Sequence, residues 1–175
     1  MAKHEIIKIC VSEALEYDHR PAPFCGKVFA YENGEYVQSG KARINFKYWQ
    51  YELAEVSHGD SLKFADVLAI AAVRPNRAII HGIPHKTDGP SPRGKAHFDF
   101  KGDELRWGVL DYDDVEYEGE WIGREDVIRS ELHKRTKTVF GDDFLTKDII
   151  VQYSNSAGIK KGLIKLHVWF FTDCT

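Results

Sequence analysis

The chain has 175 residues, of which 43% are apolar and 13% aromatic, so it can bury a core as a single domain and is not globally disordered. Its net charge of -3 argues against coating nucleic acid through bulk charge, and its three widely spaced cysteines argue against a disulfide framework or a CxxC zinc site. No apolar run approaches the roughly 20 residues of a membrane span, and the N-terminus lacks a signal peptide's apolar block. A cytoplasmic protein without a membrane partner is therefore expected.

The N-terminal part of the chain predicts strands and a hairpin. Residues 4–11 and 27–31 have the composition of strands. The pair Asn33-Gly34 follows, and this dipeptide favours a tight hairpin turn. Nothing in residues 1–73 indicates a function.

One helix is predicted in this part of the chain. Asp60 or Ser61 can cap it, and it should continue to about Ala72, because Pro75 prevents further extension. The apolar residues at helical spacing are Leu62, Ala65, Leu68 and Ala69.

The rest of the chain mixes strands with one long helix. Strands are predicted at residues 77–82, 106–113, 148–154 and 163–171. The helix is predicted over residues 124–140, with Ile128 and Leu132 on its apolar face and Gly141 as its stop signal. The strand at 163–171 is so apolar that it should have neighbours on both sides. Because strands and helices do not alternate regularly, the expected fold class is α+β with a mixed, largely antiparallel sheet.

Charge is segregated along the second half of the sequence. Residues 111–120 contain six acidic side chains and no basic ones. The flanks are more basic: residues 74–106 hold seven Lys or Arg against four acids, and residues 124–165 hold nine against six. A metal-dependent phosphoryl-transfer site needs an acidic centre between basic flanks, but an ordinary solvated surface would have the same pattern.

Asp111 and Asp113 are candidate metal ligands. Residues i and i+2 of a strand point to the same face, so both carboxylates can share divalent cations. Their hard oxygen atoms suit Mg²⁺ or Mn²⁺. They are expected at the end of a buried strand. With fourteen Asp in the chain, an Asp-x-Asp arises by chance about once, so the motif by itself favours a solvated turn after the strand.

A second polar segment follows the helix. The turn 154–156 is serine-rich and is followed by Lys160 and Lys161, which together offer hydroxyls, N–H groups and positive charge to phosphate oxygens. His167 faces away from its apolar neighbours in the next strand, and Asp173 shares its face if that strand stays regular. A lone strand histidine is more often a hydrogen-bonded structural residue than a ligand.

The segments "RWGVLDYDD" and "IIVQYSNSAGIKKGLIKLHVWFFTD", with the lead-in "VRPNRAIIHGIP", resemble the primase-polymerase domain of bacterial mobile elements and phages. This domain is a branch of the archaeo-eukaryotic primase superfamily. The resemblance covers about residues 74–173. It implies a single domain, 1–175, in which an RRM-like catalytic core at 74–175 packs on a smaller N-terminal α/β subregion at 1–73.

The resemblance also implies roles for individual residues. Asp111 and Asp113 match the metal-binding motif, and His167 matches a histidine that contacts the phosphates of the incoming nucleotide. Ser154 and Ser156 match the serines before that histidine, although the intervening turn is longer than in the superfamily's compact Ser-x-His form. Asp173 is a possible third metal ligand. Further candidates for nucleotide or template contacts are Arg77, Arg106, Lys160, Lys161 and Lys165.

The implied reaction is template-directed nucleotidyl transfer from nucleoside triphosphates on single-stranded DNA, with two Mg²⁺ or Mn²⁺ ions and a possible helicase partner. Two alternatives stay open: a metal-dependent nuclease or phosphohydrolase that uses the same carboxylates, and an inactive accessory module that binds nucleic acid. A third acidic motif often lies further downstream in the family. Either Asp173 therefore completes the carboxylate set, or the chain is a fragment with weak activity and low metal affinity.

Overall fold

The computed structural model describes residues 6–15, 28–40, 49–74, 76–141, 148–154, 156–159 and 161–172. In chain order the elements are β1 (Ile6–Ala14), β2 (Val28–Glu32), β3 (Glu35–Gly40), β4 (Trp49–Ser57), α1 (Ser61–Ala72), β5 (Arg77–Ile80), β6 (Ile83–Pro84), β7 (Phe98–Asp99), β8 (Trp107–Glu116), α2 (Glu125–Phe140), β9 (Ile149–Tyr153) and β10 (Leu163–Phe171). The chain divides into two compact units, Met1–Trp107 with Thr172–Thr175, and Gly108–Phe171.

The first unit is built on a three-stranded sheet of order β4-β1-β5. Both pairings of the central strand are antiparallel, with Cys10 opposite Leu53 on one side and Ile80 on the other. Cys10 packs in a core cluster with Trp49 and Phe98. Burial there raises the pKa of the Cys10 thiol to about 12, so the cysteine behaves as a small apolar core residue.

The predicted hairpin and helix of this unit both form. β2 and β3 pair antiparallel around Asn33 and Gly34, which both have positive φ angles, as a tight hairpin turn requires. Asp60 caps α1 by accepting a hydrogen bond from the backbone N–H of Lys63 at 3.0 Å.

The apolar face predicted for α1 is partly wrong. The buried residues are Phe64, Leu68 and Ala71, whereas Leu62 is 81% exposed. Leu68 is the one predicted face residue in the core. The largest apolar side chain, that of Phe64, sets the helix rotation instead, because burying its ring removes more apolar surface from water than burying Leu62.

The second unit is a three-stranded sheet of order β8-β10-β9, with α2 against one face. β10 is the central strand, which confirms the expectation that it has neighbours on both sides. Ile128 and Leu132 of α2 pack against Leu166 and Val168 of β10 in one core cluster. α2 ends at Gly141, which has a φ of 75°, as the stop signal predicted.

The fold class is mixed α+β with mostly antiparallel strands and few helices, as the sequence predicted. Each predicted strand and both predicted helices are present, with ends shifted by a few residues. Within the described part of the chain, neither helix is long and apolar enough to cross a membrane.

Candidate functional site

Asp111 and Asp113 lie inside β8 rather than at its end, which corrects the sequence-based expectation. The strand continues to Glu116, and one residue later the Tyr117 N–H still donates to the Gly162 carbonyl at 2.9 Å. Both carboxylates are exposed, at 69% for Asp111 and 54% for Asp113. The strand extends further because the start of β10 runs beside it and continues to pair with its backbone.

The two carboxylates face two basic side chains of the central strand. His167 Nε2 lies 3.5 Å from Asp111 Oδ1. Lys165 Nζ donates a hydrogen bond of 2.5 Å to Asp113 Oδ1. The contact moves two residues forward along β8, from Asp111 to Asp113, as it moves two residues back along β10, from His167 to Lys165. The two strands therefore run antiparallel, and all four side chains lie on one face of the sheet. We call this set the Asp–Lys–His face.

β8 departs from regular alternation next to this face. Leu110 and Tyr112 pack against the core cluster under α2, and so do Val115 and Tyr117. In a regular strand only every second residue reaches one face, so the alternation changes phase between Tyr112 and Val115. One extra residue in the strand, as in a β-bulge, gives this pattern, and such irregularities are common beside active sites. Asp113 therefore lies on the exposed face where the strand changes phase.

Lys165 is a buried cation. Its side chain is 3% exposed, although its partner Asp113 reaches solvent. A buried lysine needs a counter-charge, because removing an ammonium group from water carries a large desolvation penalty. Asp113 supplies that charge. The sequence singled out Lys165 as a nucleotide contact and missed this pairing. The signal was available, because Lys165 and His167 are two residues apart in one strand, like Asp111 and Asp113 in the other.

The His167 side chain is partly exposed, but one of its two ring nitrogens is buried. The side chain is 34% exposed, and its Nδ1 is buried without a hydrogen-bond partner. A buried N–H without an acceptor costs more than a bare ring nitrogen there, so the proton of the neutral ring belongs on Nε2, which points at Asp111. The Trp169 ring lies edge-on at 6.3 Å.

A side-chain hydrogen bond between β10 and β9 lies beside His167, on the side of β10 away from β8. Trp169 Nε1 donates to Gln152 Oε1 at 3.1 Å. Gln152 lies on β9 directly opposite His167. This bond fixes the indole that lies beside the His167 ring. Neither Trp169 nor Gln152 was identified from the sequence, since no charge or motif marks them, and only the strand register brings them together.

The serine turn contacts the site through the backbone. The Ser154 N–H donates to the Lys165 carbonyl at 3.1 Å. The Ser154 and Ser156 hydroxyl oxygens lie 3.3 Å apart, and Ser156 is buried. The two hydroxyls bond to each other and hold the turn that leads into β10, so turn stability accounts for them without a phosphate. Asn155 and Lys160 lie outside the described residues.

Lys161 lies at a cleft on this unit rather than on the Asp–Lys–His face. The cleft has a volume of about 470 Å³ and is lined by Glu118, Gly119, Glu120, Trp121, Ile122, Gly158, Lys161 and Gly162. Asp111, Asp113 and His167 do not line it. The expected contact of Lys161 with nucleotide or template stays a prediction.

Arg77 and Arg106 belong to the first unit and have local partners there. Arg77 forms an ion pair of 2.7 Å with Glu13. Arg106 Nε donates to the Asp103 carbonyl at 3.0 Å, inside its own turn. Both contacts give these arginines structural roles within that unit.

The donor chemistry of the face suits a divalent cation. Two exposed carboxylates on one sheet face offer the hard oxygen ligands that Mg²⁺ and Mn²⁺ prefer. Among the described residues, no three His, Cys, Asp or Glu side chains form a metal-binding group. Asp173, the third ligand suggested by the sequence, lies outside those residues. Asp111 and Asp113 thus fit a cation as a pair, and Lys165 already balances one of them.

Comparisons with known proteins add no assignment. No protein-family model, no curated protein and no solved structure matches this chain.

Proposed function

We propose that the chain carries out template-directed nucleotidyl transfer, making primers or extending DNA from nucleoside triphosphates in the manner of a primase-polymerase. The observation that carries the proposal is the Asp–Lys–His face. There the Asp111 carboxylate lies 3.5 Å from His167 Nε2, and the Asp113 carboxylate accepts a hydrogen bond of 2.5 Å from Lys165, both partners lying on the central strand β10. The RRM-like core that the resemblance implies and the cytoplasmic location expected from the sequence are parts of the same proposal.

Each residue of the face has a role in this reaction. Asp111 and Asp113 would hold the divalent cation, which would supply Lewis-acid activation of the attacking 3′-hydroxyl and positive charge for the leaving pyrophosphate. His167 donates from Nε2 to a phosphate oxygen of the incoming triphosphate. Lys165 fixes the orientation of the Asp113 carboxylate. The irregularity of β8 next to Asp113 agrees with a functional interpretation, because β-bulges re-aim side chains beside active sites, as they also do at sheet edges.

The partners follow from the reaction. Nucleoside triphosphates are the substrates, and single-stranded DNA is the template. A helicase, separate or joined to the chain, would supply that single strand. Template contacts by Lys160, Lys161, Arg77 or Arg106 belong to the same proposal, and Arg77 and Arg106 also bond within their own unit.

The deciding experiment incubates the protein with Mn²⁺, a single-stranded DNA template and labelled triphosphates, with and without a primer. Labelled products longer than the input support the proposal, provided that Asp111→Asn abolishes them. Asp66→Asn is the matched control, because Asp66 is an exposed aspartate on α1 and its loss should leave synthesis unchanged.

The same assay separates the alternatives. Degradation of the template without any triphosphate would instead identify a metal-dependent nuclease on the same carboxylates. Binding of the template with neither synthesis nor degradation would identify an accessory module. Synthesis that survives in Asp111→Asn would refute the assignment of the site.

A further inference from the structure

The Asp113–Lys165 pair constrains how many metal ions the face can hold. In a two-metal site the ions lie about 3.5–4 Å apart and share carboxylate ligands. Here the Lys165 ammonium lies 2.5 Å from Asp113 Oδ1. An ion bound to that oxygen would need a bond of about 2.0–2.1 Å for Mg²⁺, so it would compete with the ammonium for the same space and the same lone pairs.

Lys165 is not free to move aside. Its side chain is 3% exposed, and it belongs to β10, the central strand of the sheet. Its backbone carbonyl accepts the Ser154 N–H at 3.1 Å. Swinging the ammonium into water would open a cavity in the sheet face, and leaving it beside a second cation would bring two like charges together.

Asp111 differs from Asp113 in each of these respects. It is 69% exposed, and its basic neighbour is the partly exposed His167 imidazole, whose Nε2 lies 3.5 Å away, rather than a buried ammonium group. A divalent cation can therefore bind Asp111, and it can reach the exposed side of the Asp113 carboxylate, without displacing a buried charge.

We infer that the Lys165 ammonium occupies the second cation position of the face, so that the site binds one divalent cation rather than two. This inference rests on the proposed function for the role of the site, and it replaces the two-metal arrangement expected from the sequence. The lysine supplies fixed positive charge beside Asp113. The single metal ion binds at Asp111 and at the exposed side of the Asp113 carboxylate.

The test is a titration of the purified full chain with Mn²⁺, followed by electron paramagnetic resonance. Wild type is expected to bind one Mn²⁺ per chain with no spin coupling. Lys165→Met keeps most of the buried aliphatic stem and removes the charge, so it should bind two ions with a coupled spectrum. Lys134→Met is the matched control, since Lys134 is an exposed lysine on α2, and it should bind one ion as wild type does.

Two spin-coupled ions in wild type would overturn the inference, as would a single ion in Lys165→Met. If Lys165→Met does not fold, Lys165→Gln provides the second variant, and the wild-type stoichiometry remains decisive by itself. The outcome is separable from that of the proposed function. If wild type binds one ion but adds no nucleotide, the proposed polymerase function is refuted and the role of Lys165 stands. If wild type adds nucleotides and binds two ions, the proposed function stands and the role of Lys165 is refuted. No bound ion in wild type refutes both.

Discussion

The side chain of Lys165 is 3% exposed, yet its ammonium group bonds at 2.5 Å to the carboxylate of Asp113, whose side chain is 54% exposed. A buried charge depends on its partner more than an exposed charge does, because water cannot replace the lost interaction. Asp111 is 69% exposed and lies beside His167, which is 34% exposed, so no buried ammonium group depends on the Asp111 carboxylate. The two carboxylates of one motif therefore differ in what they contribute to stability.

Asp113→Asn should destabilise the protein, while Asp111→Asn should not. The first change leaves the Lys165 ammonium without its counter-charge, and we expect a loss of about 2 kcal/mol, below the full cost for a completely buried pair because water reaches Asp113. The second removes an exposed charge and should shift stability by less than about 0.5 kcal/mol. Chemical denaturation of both variants measures the difference, and equal effects would contradict the role given to Lys165.

Both substitutions should remove nucleotide addition, for a shared reason. Each replaces a negatively charged carboxylate ligand of the cation with a neutral amide, and we expect a fall in rate of at least about a hundredfold. Rates are compared under conditions in which both variants are folded, as checked by circular dichroism. Near wild-type activity in either folded variant would show that its carboxylate does not hold the metal ion.

His167→Ala should weaken triphosphate binding more than template binding. Its Nε2 lies 3.5 Å from Asp111 on the exposed face, where it can donate to a phosphate oxygen. Loss of a hydrogen bond to a charged group should raise the Kd for the triphosphate about 10- to 100-fold. The Kd for single-stranded DNA should change by less than about threefold.

Isothermal titration with each ligand measures both constants for His167→Ala. His167→Gln keeps an N–H donor in a similar position and should recover part of the triphosphate affinity. Equal losses for triphosphate and template would indicate that His167 supports the sheet rather than binding phosphate.

Local signals predicted the elements of this fold well. The Asp60 cap, the Asn33-Gly34 turn and the Gly141 stop each act within a few residues, so the sequence is enough to locate them. The apolar run of β10 also indicated a central strand correctly. These features depend on short-range chemistry and on burial, which a sequence pattern records directly.

Relationships between distant residues were harder to predict. Lys165 lies 52 positions from Asp113, and their pairing depends on the β8–β10 register, which the irregular strand shifts near Asp113. The end of β8 was misplaced because aspartate has a low strand propensity, which pairing with β10 overrides. The Trp169–Gln152 bond was missed for the same reason: it exists only once β9 and β10 are aligned.

Asp60→Ala should destabilise α1. Asp60 Oδ1 accepts the Lys63 N–H at 3.0 Å, and alanine would leave that donor without its cap. The expected cost is about 1 kcal/mol, or a fall in Tm of about 2–4 °C for a chain of this size. Asp66→Ala on the exposed side of α1 is the control and should leave Tm unchanged or slightly raised, since alanine favours the helix interior.

The network around Glu13 should make stability depend on pH. Arg77 donates to Glu13 from Nε at 2.8 Å and Asn76 donates at 3.3 Å. Desolvation by itself raises the pKa of Glu13, but these hydrogen bonds and the charges of Arg77 and Arg74 outweigh it, so the pKa lies below its ordinary value of 4.5. A carboxyl with a lowered pKa in the folded state stabilises the protein above its unfolded pKa, and this contribution is lost as pH falls through the folded value.

Glu13→Gln should therefore be less stable than wild type at pH 7, by about 1 kcal/mol, and the gap should narrow as the pH falls below 4.5, the ordinary carboxyl value. The gap narrows because wild-type Glu13 takes up a proton there and loses its charge, while glutamine has none to lose. Urea unfolding at several pH values measures it. Glu52→Gln, at an exposed position on the neighbouring strand β4, should differ from wild type by less than about 0.5 kcal/mol throughout. A gap for Glu13→Gln that stays constant from pH 7 to pH 3 would mean that the carboxylate charge is not what Arg77 stabilises.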